Sequence, residues 1–301
     1  MRFRAVAVAP VVVVQVVACT MLGTGMAQAS RDPAPVTVLQ ETFVDESRPS
    51  PASQLQPDAP SRTLETTIAF PTKAKGRLPL VLLAHGSNGN PNKFTQLIDA
   101  WARGGYVVVA PLFPRTSDAG GNLVGDYVEQ PADLSFVLDR VLGMNKTRGS
   151  GVHRRIDPRH IGLAGLSLGG FTTYGTVFHS CCRDERIDVA ILMSAVLGAF
   201  PDGDYEFDEV PTLLVHGDAD GLYPQSVNAY PQLAAPKWFL TLHGGTHAFP
   251  FEDTPEASDE LVRDVTTAFW DRYLGDERRA QRTIVDAVDA SAGLATLQRE
   301  L

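Results

Sequence analysis

Ile161-Gly162-Leu163-Ala164-Gly165-Leu166-Ser167-Leu168-Gly169-Gly170-Phe171 is the stretch on which the reading of this chain turns. An apolar run enters a G-x-S-x-G pentapeptide, and Leu168, Phe171, Tyr174 and Phe178 leave it at helical spacing. A serine hydroxyl is a poor nucleophile until it is exposed, aimed and paired with a base. A sharp strand-to-helix turn does the exposing and aiming, and it tolerates only small residues two positions to either side of the serine. The pentapeptide by itself also arises by chance in loops and helix caps. A strand before it and a helix over 168–178 after it give Ser167 the reading of an activated nucleophile, with Asp157-Pro158-Arg159-His160 expected as a turn ahead of the strand.

Working outward, buried apolar runs alternate with helical patterns, the sign of a parallel sheet with crossover helices. Strands are expected at 78–84, 106–111, 189–193, 212–216 and 238–242, and helices at 92–103, 131–142 and 258–274. Val36-Thr37-Val38-Leu39 and Thr42-Phe43-Val44 carry β-branched and aromatic residues, and 63–70 alternates, so these segments predict an antiparallel edge. The fold class is therefore α/β: a mostly parallel central sheet with helices on both faces, antiparallel N-terminal edge strands and no large lid. The expected organisation is a signal peptide at 1–29, a linker at 30–35, a catalytic domain at 36–275 and a helical tail at 276–301 carrying Ile284, Val285 and Val288.

The 301 residues with 44% hydrophobic content suffice for one substantial core. The 35 acidic against 26 basic residues give a net charge of −9, which argues against nucleic acid as a partner. Arg2 and Arg4 precede an apolar run from Ala5 to Ala18, and Ala27-Gln28-Ala29 has the small-x-small form of a signal-peptidase site, so export to the periplasm or the exterior is expected. Val16-Val17-Ala18-Cys19 offers the alternative of a lipid anchor at Cys19. Neither leaves a membrane span in the mature chain, and a monomer is expected. Beyond Cys19 only Cys181 and Cys182 remain, expected as two small residues packing at the end of the helix, with a disulfide between neighbours as the alternative.

The acid and the base of such a site follow the nucleophile in chain order, on loops at the carboxyl ends of later strands. After the strand at 212–216 comes Gly217-Asp218-Ala219-Asp220-Gly221. Asp220 is the expected partner of the catalytic imidazole, and Asp218 the competitor, with a turn-forming role as its other reading. Past the last strand, His243-Gly244-Gly245-Thr246-His247 holds two histidines. His247, beyond two glycines on a loop free to approach Ser167, is preferred to His243 at the strand end. Structural roles are expected for His85, His153, His160, His179 and His216. An oxyanion hole needs two backbone N–H groups: Leu168 follows the nucleophile, and Ser87, with Asn88 as alternative, lies in His85-Gly86-Ser87-Asn88-Gly89-Asn90 after the first parallel strand. Phe113, Tyr223, Trp238, Phe249 and Phe251 are candidates for lining an acyl or aromatic pocket.

A strand followed by H-G-S-N-G, then G-L-S-L-G-G, H-G-D-A-D and G-G-T-H-A-F in this order make the chain resemble the α/β-hydrolase superfamily from Val36 to Leu274. The Phe43-Val44-Asp45 strand, the helix start at Gln130-Pro131-Ala132-Asp133 and the lidless layout are similar to an exported group. That group holds dienelactone-hydrolase-like proteins, chlorophyllases, platelet-activating-factor acetylhydrolases and cutinase-like polyester hydrolases. Dienelactone hydrolases proper use cysteine where Ser167 stands, so ester hydrolysis fits better than lactone chemistry. The resemblance implies Ser167 as nucleophile, His247 as general base and acid, Asp220 as its orienting partner, and an acyl-serine intermediate resolved by water. It implies no cofactor or metal and a small or polymeric ester as substrate. A peptidase of the prolyl-oligopeptidase type and a catalytically silent binding protein are the alternative readings.

Overall fold

The computed structural model describes residues 35–301, so the expected signal peptide, most of the linker and Cys19 lie outside the described residues. The apolar runs β3 (Leu78–Ala84), β4 (Val107–Pro111), β5 (Ile156–Leu166), β6 (Val189–Met193), β7 (Thr212–Gly217) and β8 (Lys237–Leu242) are buried along most of their length. Such continuous burial is what parallel strands covered on both faces require. With β1 (Val36–Asp45), β2 (Arg62–Pro71) and β9 (Ala295–Glu300) they make a nine-stranded sheet in the order β1-β2-β4-β3-β5-β6-β7-β8-β9. The six central strands are parallel, and β1, β2 and β9 run antiparallel to their neighbours.

Alternation along the strands splits the core in two. On one face Val81, Leu83, Val108, Ile191 and Val215 pack against α1 (Thr95–Arg103), α5 (Asp259–Tyr273) and α6 (Ala280–Ala290), with Trp101 and Trp270 meeting edge to face. On the other, Leu80, Leu82, Val109, Leu163 and Leu192 pack against α2 (Gln130–Lys146) and α3 (Leu168–Phe178). This is the mostly parallel α/β sheet expected from the pattern and the architecture that the α/β-hydrolase resemblance implies, and among the described residues no helix is long and apolar enough to cross a membrane.

Three local expectations are corrected, and one element is added. Residues 157–160 are not a turn but an irregular part of β5, where pairing with β3 jumps from Leu78↔Ile156 to Leu80↔Ile161 and the extra residues bulge. The helical tail is a helix and then a strand: Ala295–Glu300 pairs with β8 from Lys237↔Glu300 to Leu242↔Ala295. Only Ala295 and Leu297 of β9 turn toward the core, too few to register as an apolar run. Tyr223–Ala229 forms a short helix, α4, just past the loop that follows β7. Cys181 and Cys182 are joined in a disulfide in the turn after α3, where Cys181 is exposed rather than packed.

A buried ion network ties the antiparallel edge to the helical layer. Arg62, fully buried at the start of β2, donates two hydrogen bonds to Asp126 at 3.0 and 2.7 Å and two to Asp133 at 2.7 Å each. Two bidentate pairs hold the guanidinium cationic against the cost of burial. Asp126 sits in a 3-10 turn, Val124–Glu129, that leads into α2, so this cation anchors the turn from below. Arg62→Leu leaves two buried carboxylates short of their partner, and a loss of about 3–5 kcal/mol is expected by urea unfolding. A loss under about 1 kcal/mol would mean that the network contributes little.

Candidate active site

The end of β5 and the start of α3 meet where there is room only for backbone. A Cβ on Gly165 would lie 2.1 Å from the Gly169 carbonyl oxygen, and one on Gly169 would lie 2.1 Å from that of Ala84 at the end of β3. The chain therefore turns at Ser167 with φ 54° and ψ −112°, a conformation costly for a residue with a side chain. The Ser167 amide donates to the Met193 carbonyl on β6, and the hydroxyl is left facing out over the carboxyl ends of the strands.

The loops after β7 and β8 come together in the same way. A Cβ on Gly217 would meet the Gly245 carbonyl oxygen at 2.1 Å, and the Ala219 amide donates to that oxygen. This contact brings Asp220 and His247 to Ser167. The Ser167 hydroxyl is 2.7 Å from His247 Nε2, and His247 Nδ1 is 2.5 Å from Asp220 Oδ2. Asp220 Oδ1 accepts the Leu222 amide, and Oδ2 also accepts from His216 Nε2 at 2.7 Å. Burial opposes ionisation of Asp220, but the Leu222 amide and the His247 and His216 hydrogen bonds outweigh it and hold the carboxyl below the usual range.

The competing pair is sorted by the same loops. Asp218 accepts from His243 Nδ1 at 2.8 Å and from the Gly244 amide at 2.7 Å, so these two residues close a turn with each other. Of the amides proposed for an oxyanion hole, those of Ser87 and Leu168 donate to no acceptor among the described residues. The Asn88 amide is taken by the Thr116 carbonyl. Ser87 and Leu168 line one cavity of about 390 Å³ with Ser167, Val124, Tyr127, Phe171, Val196, Gly198 and Ala199.

The lining differs from the sequence expectation. Phe113, Trp238 and Phe251 are buried in the core, Tyr223 packs edge-on to His216, and of the five candidates Phe249 alone is well exposed. Tyr127 and Phe171 take their place, with ring centroids 4.8 Å apart. Phe171 carried a visible signal, three residues past Leu168 on the helix, but that spacing reads equally as core. Tyr127 lies in a 3-10 turn without periodicity, held by the Arg62 network and by its hydroxyl bond to the Ala199 carbonyl.

His85 secures the Ser87 loop. Its buried ring donates from Nδ1 to the Gly86 carbonyl at 2.8 Å and accepts the Phe113 amide at Nε2, tying the loop after β3 to the chain after β4. Burial, working against the Gly86 hydrogen bond, pushes its pKa down to about 4.

The PET hydrolase-like family model matches residues 31–300. Among solved structures, a ferulic acid esterase from Streptomyces cinnamoneus is similar at a TM-score of 0.64 and 20% identity, over 84% of this chain and 93% of that one. No curated protein matches the chain.

The depressed pKa of His85 carries a stability consequence. Its neutral ring contributes fully above the unfolded value of 6.5, and the contribution is lost as pH falls toward about 4. Urea midpoints taken from pH 7.5 to 4 should fall through that window, by up to about 3 kcal/mol from this group. His85→Gln should flatten this part of the profile, and an unchanged slope would assign the acid sensitivity elsewhere.

Proposed function

Since the chain belongs to the PET hydrolase-like family of α/β-hydrolases, and so to the ester hydrolases of that fold, we propose that it cleaves carboxylic esters through an acyl-serine intermediate. The observation that carries this reading is the continuous relay from Ser167 through His247 to Asp220, at 2.7 and 2.5 Å. His247 Nε2 takes the hydroxyl proton as Ser167 Oγ attacks the ester carbonyl carbon. The developing oxyanion is received by the free amides of Ser87 and Leu168, which are preorganised and need no reorientation. His247, now a cation stabilised by Asp220, returns the proton to the leaving alkoxide. Water then attacks the acyl-serine with His247 again as base, releasing the acid and restoring the hydroxyl.

The substrate we favour is an ester of an aromatic acid. Tyr127 and Phe171 give the cavity beside Ser167 two ring surfaces, Val124 and Val196 close it with apolar walls, and its volume is in the range of pockets that take small organic ligands. The similar ferulic acid esterase is named for an acyl group of this kind. Val124 lines the cavity yet stays exposed, so the mouth is open to solvent, which suits a bulky or polymeric alcohol side.

Hydrolysis of p-nitrophenyl acetate and of a methyl hydroxycinnamate by wild type and Ser167→Ala tests the chemistry. Loss of a factor of about 10⁴ or more is expected for the variant. Equal rates, or cleavage of anilides in place of esters, would overturn the proposal. Tyr127→Ala is expected to raise KM for the aromatic ester by about 5- to 10-fold while leaving the acetate ester nearly unchanged. Equal effects on the two would remove the aromatic assignment.

A further inference from the structure

We infer that His216 is a positioning residue of the hydrolytic site, a second imidazole that holds the Asp220 carboxylate in the orientation from which it serves His247. The inference rests on the proposed role of the Ser167-His247-Asp220 relay. His216 is the next-to-last residue of β7 and its side chain is wholly buried. Its Nε2 lies 2.7 Å from Asp220 Oδ2, the same oxygen that His247 Nδ1 engages, and its Nδ1 lies 2.7 Å from the Ser226 hydroxyl on α4. The two imidazoles thus flank one carboxylate oxygen from opposite environments, His247 partly open to solvent and His216 sealed beneath.

Proton bookkeeping assigns the tautomer. An ionised carboxylate only accepts, so His216 carries its proton on Nε2, and Nδ1 is left as an acceptor for Ser226. The single Ser226 proton goes to Nδ1 at 2.7 Å rather than to the Ala195 carbonyl at 3.3 Å. Asp220, His247, Tyr223 edge-on at 5.8 Å, Ser226 and the Ala195 carbonyl are the polar and ionisable groups that face the ring. Burial first, and the charge on His247, hold His216 to the neutral form against the pull of Asp220.

Neutrality is the useful property. An arginine under Asp220 would orient the carboxylate too, but its charge would cancel the field that stabilises the His247 cation during turnover. A neutral N–H fixes Oδ2 and favours the ionised carboxyl while leaving the net negative charge in place. The same N–H helps to keep the Asp220 carboxyl ionised, so without it the carboxyl takes up its proton at higher pH and the acid limb follows.

The test uses the full chain with p-nitrophenyl acetate, comparing wild type, Ser167→Ala, His216→Leu, His216→Gln and His216→Asn for kcat, KM and the pH profile of kcat/KM. His216→Leu is expected to lower kcat by about 10- to 100-fold with KM within about 2-fold, and to move the acid limb to higher pH. Gln places an N–H where Nε2 stood and should restore most of kcat and the acid limb, whereas Asn carries the same amide one methylene short and should not. Should His216→Leu fail to fold, the Gln and Asn pair decides the matter. Equal impairment in both with an unmoved acid limb means a packing role and overturns the inference, as does wild-type kcat and pH profile in folded His216→Leu. Full activity in Ser167→Ala would instead sink the relay itself, so the two failures are distinguishable.

Discussion

Everything at this site depends on backbone touching backbone. Gly165, Gly169 and Ala84 bring the ends of β5 and β3 and the first turn of α3 so close that no Cβ fits between them, and Gly217 against Gly245 does the same for the two loops beyond. From the first contact follow the outward-facing, half-buried Ser167 hydroxyl and the free Leu168 amide; from the second, the meeting of Asp220 with His247. Close packing of main chain leaves little room for drift, and reacting groups must be held to within fractions of an ångström.

Polar groups beneath this layer are arranged by charge. Under the catalytic loops the buried supports are neutral: His85 under the Ser87 loop and His216 under Asp220, each with both ring nitrogens satisfied. Under the cavity wall, away from the reacting atoms, the support is an ion network of Arg62 with Asp126 and Asp133. A buried guanidinium is tolerable there because two carboxylates neutralise it. Placed beside Asp220 it would compete with the charge that the proposed reaction creates on His247.

The sequence made the central sheet legible because parallel strands buried on both faces must be continuous apolar runs, and 78–84, 189–193 and 212–216 are such runs. The meeting of Ser167, His247 and Asp220 was legible because strained turns demand glycine at particular places, and those glycines frame Ser167 and precede His247. What escaped had no period to declare it. β9 presents one face to solvent and shows two apolar residues, and the β5 bulge carries Pro158 and charged neighbours that imitate a turn. Tyr127 is placed by a salt-bridge network whose members are 64 and 71 residues apart in sequence. His216 read as an ordinary strand-end histidine, since only the fold shows which atom its ring reaches.

The cavity walls, unlike the nucleophile, are made of segments outside the sheet: the 3-10 turn 124–129 and the loop that carries Val196, Gly198 and Ala199, bridged by the Tyr127 hydroxyl bond. Their anchoring lies in Arg62, in main-chain contacts and in the Tyr127 hydroxyl, not in the aliphatic side chains that face the cavity. Under the proposed function, substrate preference and bond cleavage are thus separable. Val124 and Val196 can change in size and shape without moving Ser167, His247 or Asp220, which are held from other loops.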